Sequence, residues 1–172
     1  VRVYRGTGNV DAHDTLDVDN FVVEVDFRNT DDALSWKDKI WNVGATFIYD
    51  GIQESLLVPL QDEHDNYSLT TLDAGGGEIE SPAPVINMVL KYDSNWNKRI
   101  TGINIYMKEV DNLITTSWYL QTSYDLVKGV GKGHPYGAEV GFELNTGVDE
   151  YYCAISNNFL KSPNLVDTYE AV

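Results

Sequence analysis

The chain contains one cysteine, Cys153, and only 12 lysines and arginines against 27 aspartates and glutamates in 172 residues. A single thiol excludes an internal disulfide framework, so the fold has to be held by burial alone. The net charge of −15 repels phosphate backbones and anionic lipid headgroups, which argues against nucleic acid as a partner. No stretch approaches the roughly 18 apolar residues that a membrane span needs, and no basic segment followed by an apolar one marks a signal peptide. No membrane insertion is expected. Helical periodicity is nearly missing too, and the His-x-x-x-His or His-Glu-x-x-His spacings of a zinc site do not occur among His13, His64 and His134.

A core, by contrast, is well supplied. With 42% hydrophobic and 12% aromatic residues, a chain of this size buries roughly 70% of its unfolded surface without staples. The periodicity is two almost throughout. Phe21, Val23, Val25 and Phe27 share one face of a strand and Glu24 and Asp26 the other. Trp41, Val43, Ala45, Phe47 and Tyr49 alternate in the same way up to Asp50-Gly51, a dipeptide suited to a tight hairpin, with 52–58 as the return strand and Pro59 limiting its pairing. Further strands are expected at 85–92, 100–110, 116–124, 138–144 and 150–155, with a turn at 93–97. In the 116–124 strand Trp118, Leu120, Thr122 and Tyr124 should share a face. The expected core is Phe21, Val23, Val25, Trp41, Val43, Phe47, Met88, Leu90, Ile103, Ile105, Val140 and Phe142.

Short strands joined by turns, without intervening helices, predict an all-β fold: an antiparallel β-sandwich of immunoglobulin or fibronectin III type. At 172 residues it implies either long insertions, the reading adopted, or a smaller partial sheet beside the sandwich. At most one short helix is expected, at 31–38 behind Thr30 as N-cap. The Gly- and Pro-rich stretch 73–84 is the one internal joint in what reads as a single elaborated domain, 1–172. Because residue 1 is Val and the chain ends without a terminal-looking tail, a piece of a longer protein is expected.

Few residues carry chemistry. The string 129–137, Gly-Val-Gly-Lys-Gly-His-Pro-Tyr-Gly, suggests a phosphate loop but fails both the Walker and the dinucleotide spacing, and reads as a mobile interstrand loop. The acidic runs 9–20 and 61–66 offer oxygen ligands, yet the first lacks the Gly and Glu of an EF-hand loop, so solvated loops are the better reading and calcium is left open. Cys153 reads as a buried structural thiol. No catalytic residue, cofactor site or metal site is assigned. Aromatic side chains remain: Trp96 in the 93–97 turn, with Tyr106 and Tyr119 on strands, form the candidate interaction surface.

The segments Ile-Tyr-Asp-Gly-Ile-Gln-Glu-Ser-Leu-Leu (48–57), Arg-Ile-Thr-Gly-Ile-Asn-Ile-Tyr-Met-Lys-Glu (99–109) and Thr-Ser-Trp-Tyr-Leu (116–120) resemble stretches of fibronectin type III-like modules in structural proteins of tailed-phage virions. In such modules a strand of the form Ile-x-Ile-Tyr-x-Lys precedes one carrying Trp or Tyr. The chain departs from the usual module in its length and in the glycines at 75–77. The resemblance implies a non-enzymatic structural or interaction module of a tail, fibre or similar assembly, located in a virion or outside cells, with neighbouring domains or subunits as partners. The alternative function is a carbohydrate-binding or lectin-like domain using exposed aromatics, with glycans as partners.

Overall fold

The alternation read from the sequence becomes two facing antiparallel sheets. The structure is a computed structural model that describes residues 2–4, 21–29, 36–37, 39–62, 68–70, 80, 82–91, 97–110, 117–147, 149–155 and 162–171. Its strands are β1 (Arg2–Tyr4), β2 (Phe21–Asn29), β3 (Ile40–Tyr49), β4 (Gln53–Glu54), β5 (Val58–Pro59), β6 (Gln61–Asp62), β7 (Ser68–Thr70), β8 (Pro82–Lys91), β9 (Ile100–Glu109), β10 (Tyr119–Asp125), β11 (Val130–Gly133), β12 (Glu139–Gly141), β13 (Glu143–Asn145) and β14 (Glu150–Ile155). Among the described residues there is no helix. Of the expected 31–38 helix only Trp36 and Lys37 are described, and they form a turn.

One sheet runs β13-β14-β8-β2-β1-β6 and the other β12-β11-β10-β9-β3-β4, with β5 and β7 also laid along β3. With β1, β2 and β8 taken as strands A, B and E, and β3, β9 and β10 as C, F and G, the connectivity is that of an immunoglobulin-type sandwich. The additions are β4 to β7 and β11 to β14, and among the described residues β14 lies beside β8 where strand D would stand. The stretch 71–79 and residue 81 lie outside the described residues, but strands before and after them pair in both sheets, β2 with β8 and β3 with β9.

Val23, Val25, Ile86 and Met88 from the first sheet meet Val43, Ala45, Phe47, Ile103, Ile105 and Met107 from the second in one core. Each side chain of the expected core belongs to it, Leu90, Val140 and Phe142 as partly buried members at the rim. Trp36, Leu60 and Leu69 add to it from short or irregular segments, and Tyr124, Cys153 and Ile155 from β10 and β14. At one end Trp36 packs on Trp41 at 4.8 Å and on Phe27 at 6.2 Å between ring centroids.

Four local expectations change. The Asp50-Gly51 turn forms as expected, with positive φ at both residues (52° and 78°). Its return strand, however, breaks at Ser55, whose hydroxyl takes the N–H of Phe47 at 2.9 Å in place of a backbone carbonyl. The register is Glu54 with Ile48 before the break and Val58 with Ala45 after it, a one-residue bulge. In β10 a bulge at Gln121 puts Leu120 opposite Tyr106 and Thr122 opposite Ile105. The four residues expected on one face are therefore split, with Leu120 turned outward and Thr122 and Tyr124 inward. The 138–144 strand is two strands in different sheets, β12 and β13, meeting at Phe142.

The fourth change is at 129–137, where 130–133 form β11, paired on both sides by β10 and β12, and 134–136 remain a turn. Its glycines serve close approach rather than mobility. A Cβ at Gly131 would stand 2.8 Å from the Sγ of Cys153 and 2.8 Å from the ring of Tyr124.

Both flanks of the sandwich are seamed by the chain itself. On one side β5 lies in the second sheet, buried Leu60 donates its N–H to Val43 O at 2.8 Å, and β6 continues in the first. On the other, β12 leads through Phe142, stacked 6.3 Å from Tyr124, into β13. Strands that change sheets at corners are a known way of closing a sandwich. The outermost strands are consequently only two or three residues long, which is one way a sheet avoids uncontrolled edge pairing.

Candidate functional site

Outward-facing residues of the second sheet gather the polar groups. Opposite each other on neighbouring strands lie Thr46 and Asn104, Gly44 and Tyr106, Asn104 and Ser123, and Tyr106 and Leu120. The return strand adds Glu54. Its Oε1 accepts from the Thr46 hydroxyl, from Tyr106 OH at 2.7 Å and from Asn104 Nδ2 at 3.1 Å. Burial, and then the Glu54 carboxylate beside it, push the Tyr106 hydroxyl far above its ordinary range, so it remains a donor at any working pH. Thr46 and Tyr106 are buried, so removing the acceptor strands donors out of reach of water. Glu54→Ala is expected to cost about 1–3 kcal/mol, read as a loss in the urea midpoint at unchanged slope, with Glu54→Gln costing less.

A C-terminal segment, residues 162–171, lies against this face and extends the sheet where β11 ends. Leu120 N–H donates to Asp167 O at 2.8 Å and Tyr169 N–H to Trp118 O at 2.9 Å, bracketing a bridge between Tyr119 and Thr168. The Gln121 bulge meets Asn164: its Nε2 donates to Asn164 O and its Oε1 accepts from Asn164 N, both at 2.9 Å. Asn164 Nδ2 also donates to Leu120 O at 2.7 Å and to Asp167 Oδ2 at 2.9 Å. Tyr169 crosses onto the face, with its ring 5.6 Å from that of Tyr106 and its hydroxyl accepting from Leu57 N–H at 3.2 Å.

Further along, Ser123 Oγ and His134 Nε2 share a hydrogen bond of 2.8 Å. The β10–β11 hairpin makes this pair, since it places Ser123 opposite Lys132 and ties His134 N–H to Gln121 O. Burial first, and Lys132 second, hold the imidazole below its usual pKa, against an opposing pull from Asp167; the ring is neutral at pH 7. Beside it runs an open groove of about 470 Å³ lined by Ile48, Asp50, Gly51, Thr101, Gly102, Ser123, Tyr124, Asp125 and Val127.

A serine with a neutral histidine at this distance has two parts of an acyl-transfer centre; the third is a pair of N–H donors for the oxyanion. Ser123 and Tyr124 lie in a strand paired on both sides, so their N–H groups belong to the ladder. Nearby N–H groups are spent as well, Gly51 on the Thr101 hydroxyl and Val127 and Lys128 on Asp125 Oδ1. Asp50 is paired with Arg99 at 2.7 Å. The polar side chains that line the groove, Asp50, Thr101, Ser123, Tyr124 and Asp125, each have a partner within the chain.

Comparison with protein-family models, with curated proteins and with solved structures finds no match to this chain.

Of the three expected surface aromatics, Trp96 lies outside the described residues. Tyr106 is 4% exposed, covered by Tyr169 and bound to Glu54, which removes it from the free surface. Tyr119 is half-buried at the bridge to Thr168. The two do not make an exposed aromatic platform. His13, His64 and the 9–20 acidic run also lie outside the described residues, and of 61–66 only Gln61 and Asp62 are described. Among the described residues no cluster of three or more His, Cys, Asp or Glu is placed to hold a metal. Sequence reading missed the Ser123–His134 pair and the Glu54 hub, because both depend on strand register. The only available signal was the hairpin of β10 and β11, hidden by treating 129–137 as a loop.

Cys153 is buried as expected, its Sγ 3.4 Å from Val140 O. Burial pushes the thiol up to about 11, which leaves about a hundredfold less thiolate than an ordinary cysteine at neutral pH. Alkylation by iodoacetamide at pH 8 is expected to be at least about a hundredfold slower than for a free thiol. Unfolding in guanidinium should restore the ordinary rate.

Proposed function

We propose that this chain is a non-enzymatic structural or interaction module that works within a larger assembly. The observation that carries the reading is an apolar flank on the return strand. Ile52, Leu56 and Val58 are 91%, 70% and 49% exposed, within a stretch, 51–90, that has no lysine or arginine. Exposed large apolar residues in close succession mark contact surfaces, and Glu54, which falls between Ile52 and Leu56, is turned to Thr46, Asn104 and Tyr106. The backbone there is poorly suited to adding a strand, given the Ser55 bulge and Pro59, so contact is through side chains. The immunoglobulin-type connectivity supports the same reading, and the segments resembling phage-virion modules fall on the β3–β4 hairpin, β9 and β10 of one sheet. A tail or fibre of a virion is the assembly that the resemblance suggests.

The test is a structure of the parent particle or full-length protein. Burial of Ile52, Leu56 and Val58 against a neighbour, with more than about 1,000 Å² of total surface covered, is expected. A parent in which this flank stays solvated would defeat the reading.

A further inference from the structure

The segment 162–171 joins the second sheet through a single bridge, Tyr119 to Thr168, and not as a strand. Its contacts with the sheet are mostly polar: two backbone hydrogen bonds to β10 and its approach, the reciprocal amide pair of Gln121 and Asn164, and the Tyr169 hydroxyl. Its own apolar residues turn away, Leu165 being 58% and Val166 79% exposed. Tyr169 is half-buried and is its one ring packed on the face. An element with few buried apolar contacts opens at a much lower free energy than the core beneath it.

Opening has a specific consequence. It bares Trp118 O and Leu120 N–H, together with the Gln121 amide, as a preformed strand slot on β10. The sequence that fits this slot is already known from the structure, because residues 162–171 fill it. A second copy of the chain carries the same segment, and exchange of an identical element between copies is a low-cost route to assembly. Resting on the assembly reading above, we propose that residues 162–171 form a latch that opens independently of the sandwich and docks in the same slot of a second copy, linking neighbours by strand exchange. The −15 charge opposes such pairing at low salt and is screened over about 10 Å at 0.1 M.

Two measurements test it. On the unmodified chain, hydrogen exchange should show the amides of Leu120, Asn164 and Tyr169 exchanging together and at least about tenfold faster than those of Ile103 and Ile105. Equal rates for the two sets would overturn the latch. For exchange between copies, Tyr119 and Thr168 are a non-hydrogen-bonded pair, the geometry in which Cα atoms lie about 4.5 Å apart and a disulfide can close. The variant Tyr119→Cys/Thr168→Cys, in a Cys153→Ser background, is oxidised at low and at high protein concentration in high salt. Disulfide-linked dimers that increase with concentration, and that are absent when the same variant is oxidised dilute, are the expected result. Cross-links confined to monomers at every concentration would overturn exchange. That outcome would leave the assembly reading standing if Ile52, Leu56 and Val58 are buried in the parent, so the two failures are distinguishable.

Discussion

Replacing Ile105 by alanine is expected to cost roughly 2–5 kcal/mol, the largest loss of any single truncation proposed for this chain. Ile105 lies in β9 at the centre of the second sheet, opposite Ala45 on one side and Thr122 on the other, and is fully buried. Its strand is paired along nearly its whole length and cannot move in to fill the space. The cavity left behind adds to the lost transfer free energy of the deleted groups, which places the cost above that of the methylenes alone. For a domain of this size each kcal/mol shifts the thermal midpoint by about 2–4 °C, so a drop on the order of 10 °C in a calorimetric scan is expected. A drop under about 1 °C would mean that the inward face of β9 has been assigned wrongly.

Adding a methyl group at Gly131 is expected to cost about 3 kcal/mol, toward the upper end for overpacking. The new Cβ would press on the Cys153 Sγ at 2.8 Å and on Tyr124 Cδ1 and Cε1 at 2.8 and 2.9 Å. Neither neighbour can step aside. Tyr124 is buried with Phe142 stacked near it, and Cys153 sits in β14, paired with β8 opposite Met88. The control is close at hand in Gly141, which pairs with Val130 on the adjacent strand and whose Cβ would meet nothing within 4 Å. Gly141→Ala should change stability by less than about 0.5 kcal/mol. Denaturant midpoints of the two variants decide the matter: similar losses at both positions would show that β11 is held by intrinsic strand preference, and not by its fit against Tyr124 and Cys153.

These two sites also separate what the sequence alone decides from what it leaves open. The inward set of β2, β3, β8 and β9 follows from period-two alternation, because a strand with one buried face has only two facings and hydrophobicity chooses between them. Phe21, Val43, Phe47, Met88, Ile103 and Ile105 were readable on that basis, as was the Asp50-Gly51 hairpin, whose conformation is set by two residues. The all-β class follows from the same local physics. Alternation is silent about anything that changes register. Gln121 and Ser55 each sit at a bulge where a side-chain amide or hydroxyl accepts a backbone N–H, that of Asn164 in one case and of Phe47 in the other, and such partners are distant in sequence or indistinguishable from ordinary strand residues. The sheet changes at Leu60 and Phe142, the conversion of a glycine-rich string into β11, the three donors converging on Glu54 and the meeting of Ser123 with His134 all depend on which strand lies next to which. That pairing is a property of the closed sandwich, where long-range contacts, and not local preference, determine the neighbours.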